Sequence, residues 1–238
     1  MAIQPWRTGK VTRIENETYN TRRYWIEVPE LSSFDFQPGQ FVTLDLPIHE
    51  KPNKRWRSYS IGSWPDGTNV FELIIILLED GLGTPWLFNN VVVGSELTFR
   101  GPLGVFVLHE ANLQKDLFLI CTGTGIAPFR SMVQHIHRNN IPHQHIYIIF
   151  GVRTQKDLLY HDELKSLELE NFHYIPTLSR EEWEGKSGYV HAIYEEHCAG
   201  KQNASFLLCG WKNMIDEAKK RILAMGYDRK AIHQELYG

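Results

Sequence analysis

The stretch that most limits what this chain can become is Phe118-Leu-Ile-Cys-Thr-Gly-Thr-Gly-Ile-Ala-Pro-Phe-Arg-Ser-Met132. Residues 118–121 are a short apolar run of buried-strand type. Gly123 and Gly125 follow, and Pro128 opens a helix-like segment over 128–138. Proline suits the first position of a helix, where its missing N–H costs nothing. Strand, glycine turn and helix start, in that order, make an anion site. Glycine lets the backbone come close, and the helix end offers free amides and a positive dipole. The spacing is not the dinucleotide fingerprint G-x-G-x-x-G, because Pro128 stands where the third glycine would fall. Taken alone, the stretch also fits a tight strand-to-helix turn in any α/β domain.

Around this stretch the chain changes grammar. From residue 118 onward, strand-like runs at 118–121, 146–150, 174–178, 206–209 and 232–236 alternate with helical stretches at 128–138, 158–169, 190–199 and 212–225. Such alternation predicts a parallel sheet with helices on both faces. Before it, runs at 9–18, 22–28, 40–46, 57–63, 70–78 and 95–100 carry β-branched or aromatic residues. Turn signals such as Gln37-Pro-Gly39, Pro65-Asp-Gly67 and Gly101-Pro102 separate them. These predict a small antiparallel barrel or sandwich. The polar stretch 111–115 marks the change, so the expected domains are 1–112, an antiparallel β-barrel, and 113–238, an α/β domain.

Composition narrows the function classes. The 238 residues are 42% hydrophobic and 22% charged, as in an ordinary globular protein. A net charge of −3 supplies no basic field for nucleic acid. The longest apolar run, residues 73–78, is too short to cross a bilayer, and the first residues lack an apolar signal core. No membrane association is expected. Cys121, Cys198 and Cys209 stand apart, without disulfide or metal spacing, which predicts a reduced, cytoplasmic setting and no metal site. The histidine pairs 135/137 and 143/145 lack further ligands at zinc spacing and read as surface or strand-end residues.

Two stretches of the first half add chemistry. In Arg57-Ser-Tyr-Ser60, strand alternation turns Arg57 and Tyr59 one way and Ser58 and Ser60 the other. A guanidinium forks onto phosphate oxygens, a phenol ring stacks on a flat heterocycle, and a hydroxyl bonds a ring nitrogen. The same residues also suit a plain amphipathic strand. In Gly81-Leu-Gly-Thr-Pro-Trp-Leu87, Thr84 reads as an N-cap and Pro85 as the first helical residue, a second glycine-led helix start. One anion site per half would serve two different dinucleotides.

Together these residues resemble the ferredoxin–NADP reductase family of flavoproteins, over nearly the whole chain. The shared parts are Pro38-Gly-Gln-Phe41, Arg57-x-Tyr59-Ser60, Gly81-x-x-Thr84, Gly101-Pro-Leu-Gly104, Gly123-Thr-Gly-Ile-Ala-Pro128, Cys209-Gly210 and an aromatic near the C-terminus. The resemblance implies an FAD-binding barrel followed by an NAD(P)-binding α/β domain. Arg57 would hold the FAD pyrophosphate, Tyr59 would pack on the isoalloxazine, and Ser60 would bond near its N5. Amides from Gly81 through Gly83 to Thr84 would complete that cradle. Gly123, Thr124, Gly125 and Pro128 would take the pyrophosphate of the nicotinamide cofactor, with the Cys209 thiol beside the nicotinamide ring. The ending Glu235-Leu-Tyr237 is similar to the Glu-x-Tyr of plant-type members. Tyr237 would stack on the flavin and step aside for nicotinamide, and Glu235 would keep Ser60 and Cys209 in register. Gly238, one residue past the tyrosine, departs from that pattern.

The resemblance also extends to cofactor choice. Ser179, Arg180, Lys186 and Tyr189 resemble the set that grips the 2′-phosphate in NADP-dependent members, with Arg153 assisting, although Glu181, Glu182 and Glu184 crowd the same segment. The expectation is NADP(H), with NAD(H) as the alternative. The expected reaction passes hydride between NADP(H) and FAD, and single electrons to or from a separate carrier, ferredoxin or flavodoxin. The alternatives are an NADH-dependent reductase component of an oxygenase, or a flavin electron-transfer subunit of a larger complex. The basic run Lys51-Pro-Asn-Lys-Arg-Trp-Arg57 would steer an acidic carrier; it also suits a solvated loop.

Overall fold

The computed structural model describes residues 4–237. Gly238, where the C-terminal pattern departs from the family, lies outside the described residues. The chain divides into two compact units. One is Met1–Val107 with Arg130–His135, the other Leu108–Phe129 with Ile136–Gly238.

The first unit is built on β1 (Trp6–Thr18), β2 (Thr21–Glu27), β3 (Phe41–Asp45), β4 (Trp56–Ser60), β5 (Val70–Ile76) and β6 (Glu96–Leu103), with one helix, α1 (Gly83–Asn90). All pairings are antiparallel, in the order β4-β3-β6-β1-β2-β5. The two outer strands meet where Ile61 bridges Leu73 and the Gly62 N–H donates to the Glu72 carbonyl at 2.8 Å, so the sheet closes into a barrel. Inward positions recur with period two: Tyr24 and Ile26, Val42 and Leu44, Phe71 and Leu73, Leu97 and Phe99 are all buried. Each such side chain contributes about 1.5–3 kcal/mol relative to exposure.

A buried charge cluster lies on the opposite face of these strands from that core. Glu72 receives Nε and Nη2 of Arg23 at 2.8 and 2.9 Å, and Nη1 of Arg130 at 3.0 Å. The same Arg130 nitrogen donates to the Gly62 carbonyl at 2.8 Å. Glu17 lies 3.5 Å from Arg23, which brings the cluster to two cations and two carboxylates.

The second unit contains α2 (Glu110–Leu113), β7 (Asp116–Thr122), both ends of α3 (Ala127–Arg138), whose middle belongs to the first unit, β8 (Ile146–Val152), α4 (His161–Lys165), β9 (Phe172–Leu178), β10 (Lys186–Ser187), α5 (Val190–His197), β11 (Ala204–Trp211), α6 (Lys212–Ala224) and β12 (Ile232–Tyr237). Every strand pair is parallel, in the order β10-β9-β8-β7-β11-β12. Leu117 to Cys121 and Phe206 to Cys209 are buried on both faces, which is why these strands read as continuous apolar runs rather than alternating ones. Phe118 stacks on Tyr147 and Phe206 within a core completed by Ile193, Tyr194, Ile215 and Ile222 of α5 and α6.

Two helices differ from expectation. The helix predicted over 158–169 is only His161–Lys165. Tyr160 adopts a left-handed conformation, φ 53°, which breaks the run before it starts, and the Ser166 hydroxyl takes the Asp162 carbonyl at 2.7 Å as it ends. Helix α1 starts at Gly83 with Leu82 at its N-cap, so Thr84 does not cap it. The Thr84 hydroxyl instead accepts the Leu78 N–H at 2.9 Å, pinning the preceding loop.

Candidate functional site

In the first unit, β4 delivers Arg57, Tyr59 and Ser60. Its residues pair with β3, Leu44 opposite Arg57 and Val42 opposite Tyr59. Tyr59 is half-buried against the barrel core. Burial pushes its phenol upward, while the Arg57 guanidinium pulls it partly back, so the ring carries a neutral hydroxyl at physiological pH. Ser60 is buried at the strand end. The side chain of Arg57 lies against Gly83: a Cβ built there would stand 3.0 Å from Arg57 Cγ and 3.1 Å from Nε. Its Nη1 donates to the carbonyls of Lys54 and Trp56 at 3.1 and 2.8 Å. A guanidinium is thus held beside the positive end of α1. Like signs placed together in this way suit an anionic group between them. Gly81 uses its own N–H on the Leu78 carbonyl at 2.9 Å, so the amides of Gly83 and Thr84 are the ones at the helix start.

In the second unit, β7 is flanked by β8 on one side and β11 on the other, so the connections leave it in opposite directions. Ligands of open α/β sheets bind at such a switch point, outside the carboxyl ends of the strands. Gly123, Thr124 and Gly125 form a 3-10 turn there, Gly123–Ile126, leading directly into α3, in which Pro128 is the second residue rather than the first. Gly123 sits at φ +53°, and a Cβ on Gly125 would fall 2.5 Å from the Cys209 carbonyl oxygen. Gly125 admits no side chain without rearrangement, while Gly123 holds a left-handed conformation with the space before it open except for Trp211. Both turns fit a phosphate-bearing dinucleotide.

The structure gathers Cys209, Glu235 and Tyr237. Cys209 pairs with Glu235 across β11 and β12. Its thiol is fully buried, and burial with the neighbouring Glu235 and Cys121 raises it well above its ordinary value, against a hydrogen bond from Tyr237. The thiol is a neutral group here, suited to contact rather than nucleophilic attack.

Of the residues assigned to the 2′-phosphate, Arg153, Ser179 and Arg180 meet at the carboxyl ends of β8 and β9. The Ser179 N–H and hydroxyl both donate to the Val152 carbonyl, at 3.0 and 3.2 Å, and the Arg180 N–H to the Arg153 carbonyl at 2.9 Å. Lys186 enters the sheet edge through its pairing with Thr177, and its ammonium lies 3.1 Å from Glu196. Tyr189 is 74% exposed. Glu181 accepts the Gln155 N–H at 2.8 Å.

Sequence reasoning missed Thr122 and Trp211. Thr122 Oγ1 accepts the Trp211 N–H at 3.2 Å, and a Cβ on Gly210 would meet that hydroxyl at 2.4 Å. The signal was the bare adjacency of Thr122 to Gly123 and of Trp211 to Cys209-Gly210. Among the described residues no group of three or more histidine, cysteine or acidic side chains is placed to hold a metal, and no helix is long and apolar enough to cross a membrane.

A closed antiparallel barrel with a cationic helix start, followed by a parallel sheet with a glycine turn at its switch point, defines an FAD- and NAD(P)-binding oxidoreductase. Residues 8–108 match the oxidoreductase FAD-binding domain and residues 119–220 the oxidoreductase NAD-binding domain. Ferredoxin–NADP reductase B of Sorangium cellulosum is 34% identical over 216 residues, covering 86% of each protein. The anthranilate 1,2-dioxygenase electron transfer component of Acinetobacter baylyi is 34% identical over 194 residues, 79% of this chain. The chain spans only about half of that relative, 54% of its length. The solved ferredoxin NADP+ reductase of Neisseria gonorrhoeae, with bound FAD and NADP, shares the fold at a TM-score of 0.81 and 24% identity, covering 97% of this chain and 98% of that one. The chain belongs to the ferredoxin–NADP reductase family.

Proposed function

We propose that this protein passes hydride between NADP(H) and FAD and exchanges single electrons with a separate carrier protein, ferredoxin or flavodoxin, in the cytoplasm. The observation that carries the reading is Arg57 packed on Gly83 at the start of α1, a cationic cradle built into a barrel of the FAD-binding family. Bound FAD supplies the two-electron to one-electron conversion, which no side chain can perform.

The chain's own residues bind and orient. Arg57 with the Gly83 and Thr84 amides holds the FAD diphosphate, Tyr59 packs on the flavin and Ser60 donates to it. The Gly123–Pro128 turn holds the diphosphate of the nicotinamide nucleotide, while Arg153, Ser179, Arg180, Lys186 and Tyr189 select its 2′-phosphate. Cys209, Glu235 and Tyr237 act by placement, keeping the nicotinamide in line for transfer. The two compact units, rather than a boundary at 112/113, which falls within α2, divide these binding duties. In the basic run, Arg55 is already paired with Asp45 at 2.6 and 2.5 Å, which leaves the exposed Lys51 and Lys54 to steer an acidic carrier.

A second reading, an NADH-dependent reductase component of an oxygenase, is favoured by the Lys186–Glu196 pair and by the acidic residues beside Arg180. Stopped-flow reduction of the yellow holoprotein by NADPH and by NADH, in wild type and Arg180→Ala, separates the two. The NADP reading expects Arg180→Ala to weaken NADPH about tenfold or more and NADH little, since it removes one charge-assisted phosphate contact. Equal losses would transfer the protein to the second reading. Reoxidation by added ferredoxin or flavodoxin tests the carrier.

A further inference from the structure

The geometry points to Trp211 as a further binding residue of the second unit: its indole N–H donates to the diphosphate of the nicotinamide nucleotide at the Gly123 turn. This rests on the reading of that turn given above and adds to it a side-chain donor.

Trp211 closes β11 at the switch point and leaves 52% of its surface open to solvent, an unusual exposure for the largest aromatic side chain. Its position is nevertheless fixed from the backbone. The Trp211 N–H is held by Thr122 Oγ1, Gly210 is bent to φ +133° against the same threonine, and Trp211 pairs with Tyr237 in the β11–β12 register. The outcome is an indole that stands over the glycine turn. The nearest atom to a Cβ built on Gly123 is the indole nitrogen, at 3.9 Å.

That nitrogen is a donor only. Among the described residues the Trp211 side chain donates to no acceptor, so the turn presents a hydrogen-bond donor together with its backbone amides. The adjacent Lys212 is turned to Asp216 one helical turn on. An anionic oxygen at the turn is the acceptor that completes the indole, and the diphosphate bridge is the part of the nucleotide that supplies one there.

Calorimetric titration of the FAD-loaded protein tests the inference, with NADP+ and adenosine 2′-monophosphate as probes. The variants are Trp211→Phe, which keeps a ring and removes the N–H, and Trp211→His, which restores a ring N–H. Trp211→Phe is expected to weaken NADP+ about tenfold, the worth of one hydrogen bond to a charged group. Trp211→His is expected to recover part of the loss. Adenosine 2′-monophosphate, lacking the diphosphate, should bind all three proteins alike. Unchanged NADP+ affinity in Trp211→Phe would overturn the inference, as would an equal loss for both probes. Wild-type protein that binds neither NADP+ nor NAD+ would instead remove the reading of the turn itself.

Discussion

At the scale of single residues, Tyr237 is the side chain proposed to give way to the nicotinamide ring. Its hydroxyl bonds the Cys209 thiol, a weak acceptor. Tyr237→Ser should therefore bind NADP+ more tightly, because no ring has to be displaced, and turn over more slowly, because product no longer leaves under competition. Spectral titration and steady-state kinetics check this; identical constants in both proteins would remove Tyr237 from the site. Residues such as Arg57, Ser60 and Gly123 are legible in the sequence as candidates because their chemistry or conformational freedom singles them out. Thr122 and Trp211 are not, since register alone gives them their roles: neither residue type announces that its neighbour will be a glycine three strands' worth of chain away.

At the scale of elements, apolar periodicity and turn chemistry located the strands of both sheets, and failed where a local conformation overrode the pattern. Leu158, Leu159, Leu164 and Leu167 imitate a helical stripe, yet the left-handed Tyr160 splits it, and tyrosine gives no warning of that conformation. Thr84 misled for another reason, its hydroxyl being claimed by a loop amide. The ion cluster of Glu72 was likewise invisible, since it joins β2, β5 and α3 from distant parts of the sequence. It yields an ordering. Glu72→Gln removes the carboxylate that both guanidinium groups share and should cost about 3–5 kcal/mol, the range for breaking a buried pair. Arg130→Met leaves Glu72 paired with Arg23 and should cost less. Urea unfolding of the two variants checks the order, and a reversed ranking would contradict the role given to Glu72.

At the scale of the whole molecule, titrating groups set a pH window for stability. Burial is the first cause lowering His135, His143, His173, His191 and His233 from their ordinary 6.5. Just below that pH the unfolded chain binds protons that the folded one does not, so stability is lost as pH falls through and below 6.5. Burial also raises the thiols of Cys121, Cys209 and Cys198 from 9.0, the last to about 11. Above pH 9 the unfolded chain gives up protons that the folded one keeps, so stability falls again as pH rises. Melting temperature measured from pH 5 to 11 should pass through a plateau between these limits; a steady rise across the range would be inconsistent with the buried thiols. The barrel seam has its own consequence. Five strand junctions are laddered over several residues, whereas the sixth is only the Ile61–Leu73 bridge with the Gly62–Glu72 hydrogen bond beside it. The cylinder is a clasped bracelet rather than a ring, and its clasp follows Ser60 by one residue. Breathing motions that admit deuterium should begin there, beside the strand proposed to hold the flavin, while the laddered staves stay shut.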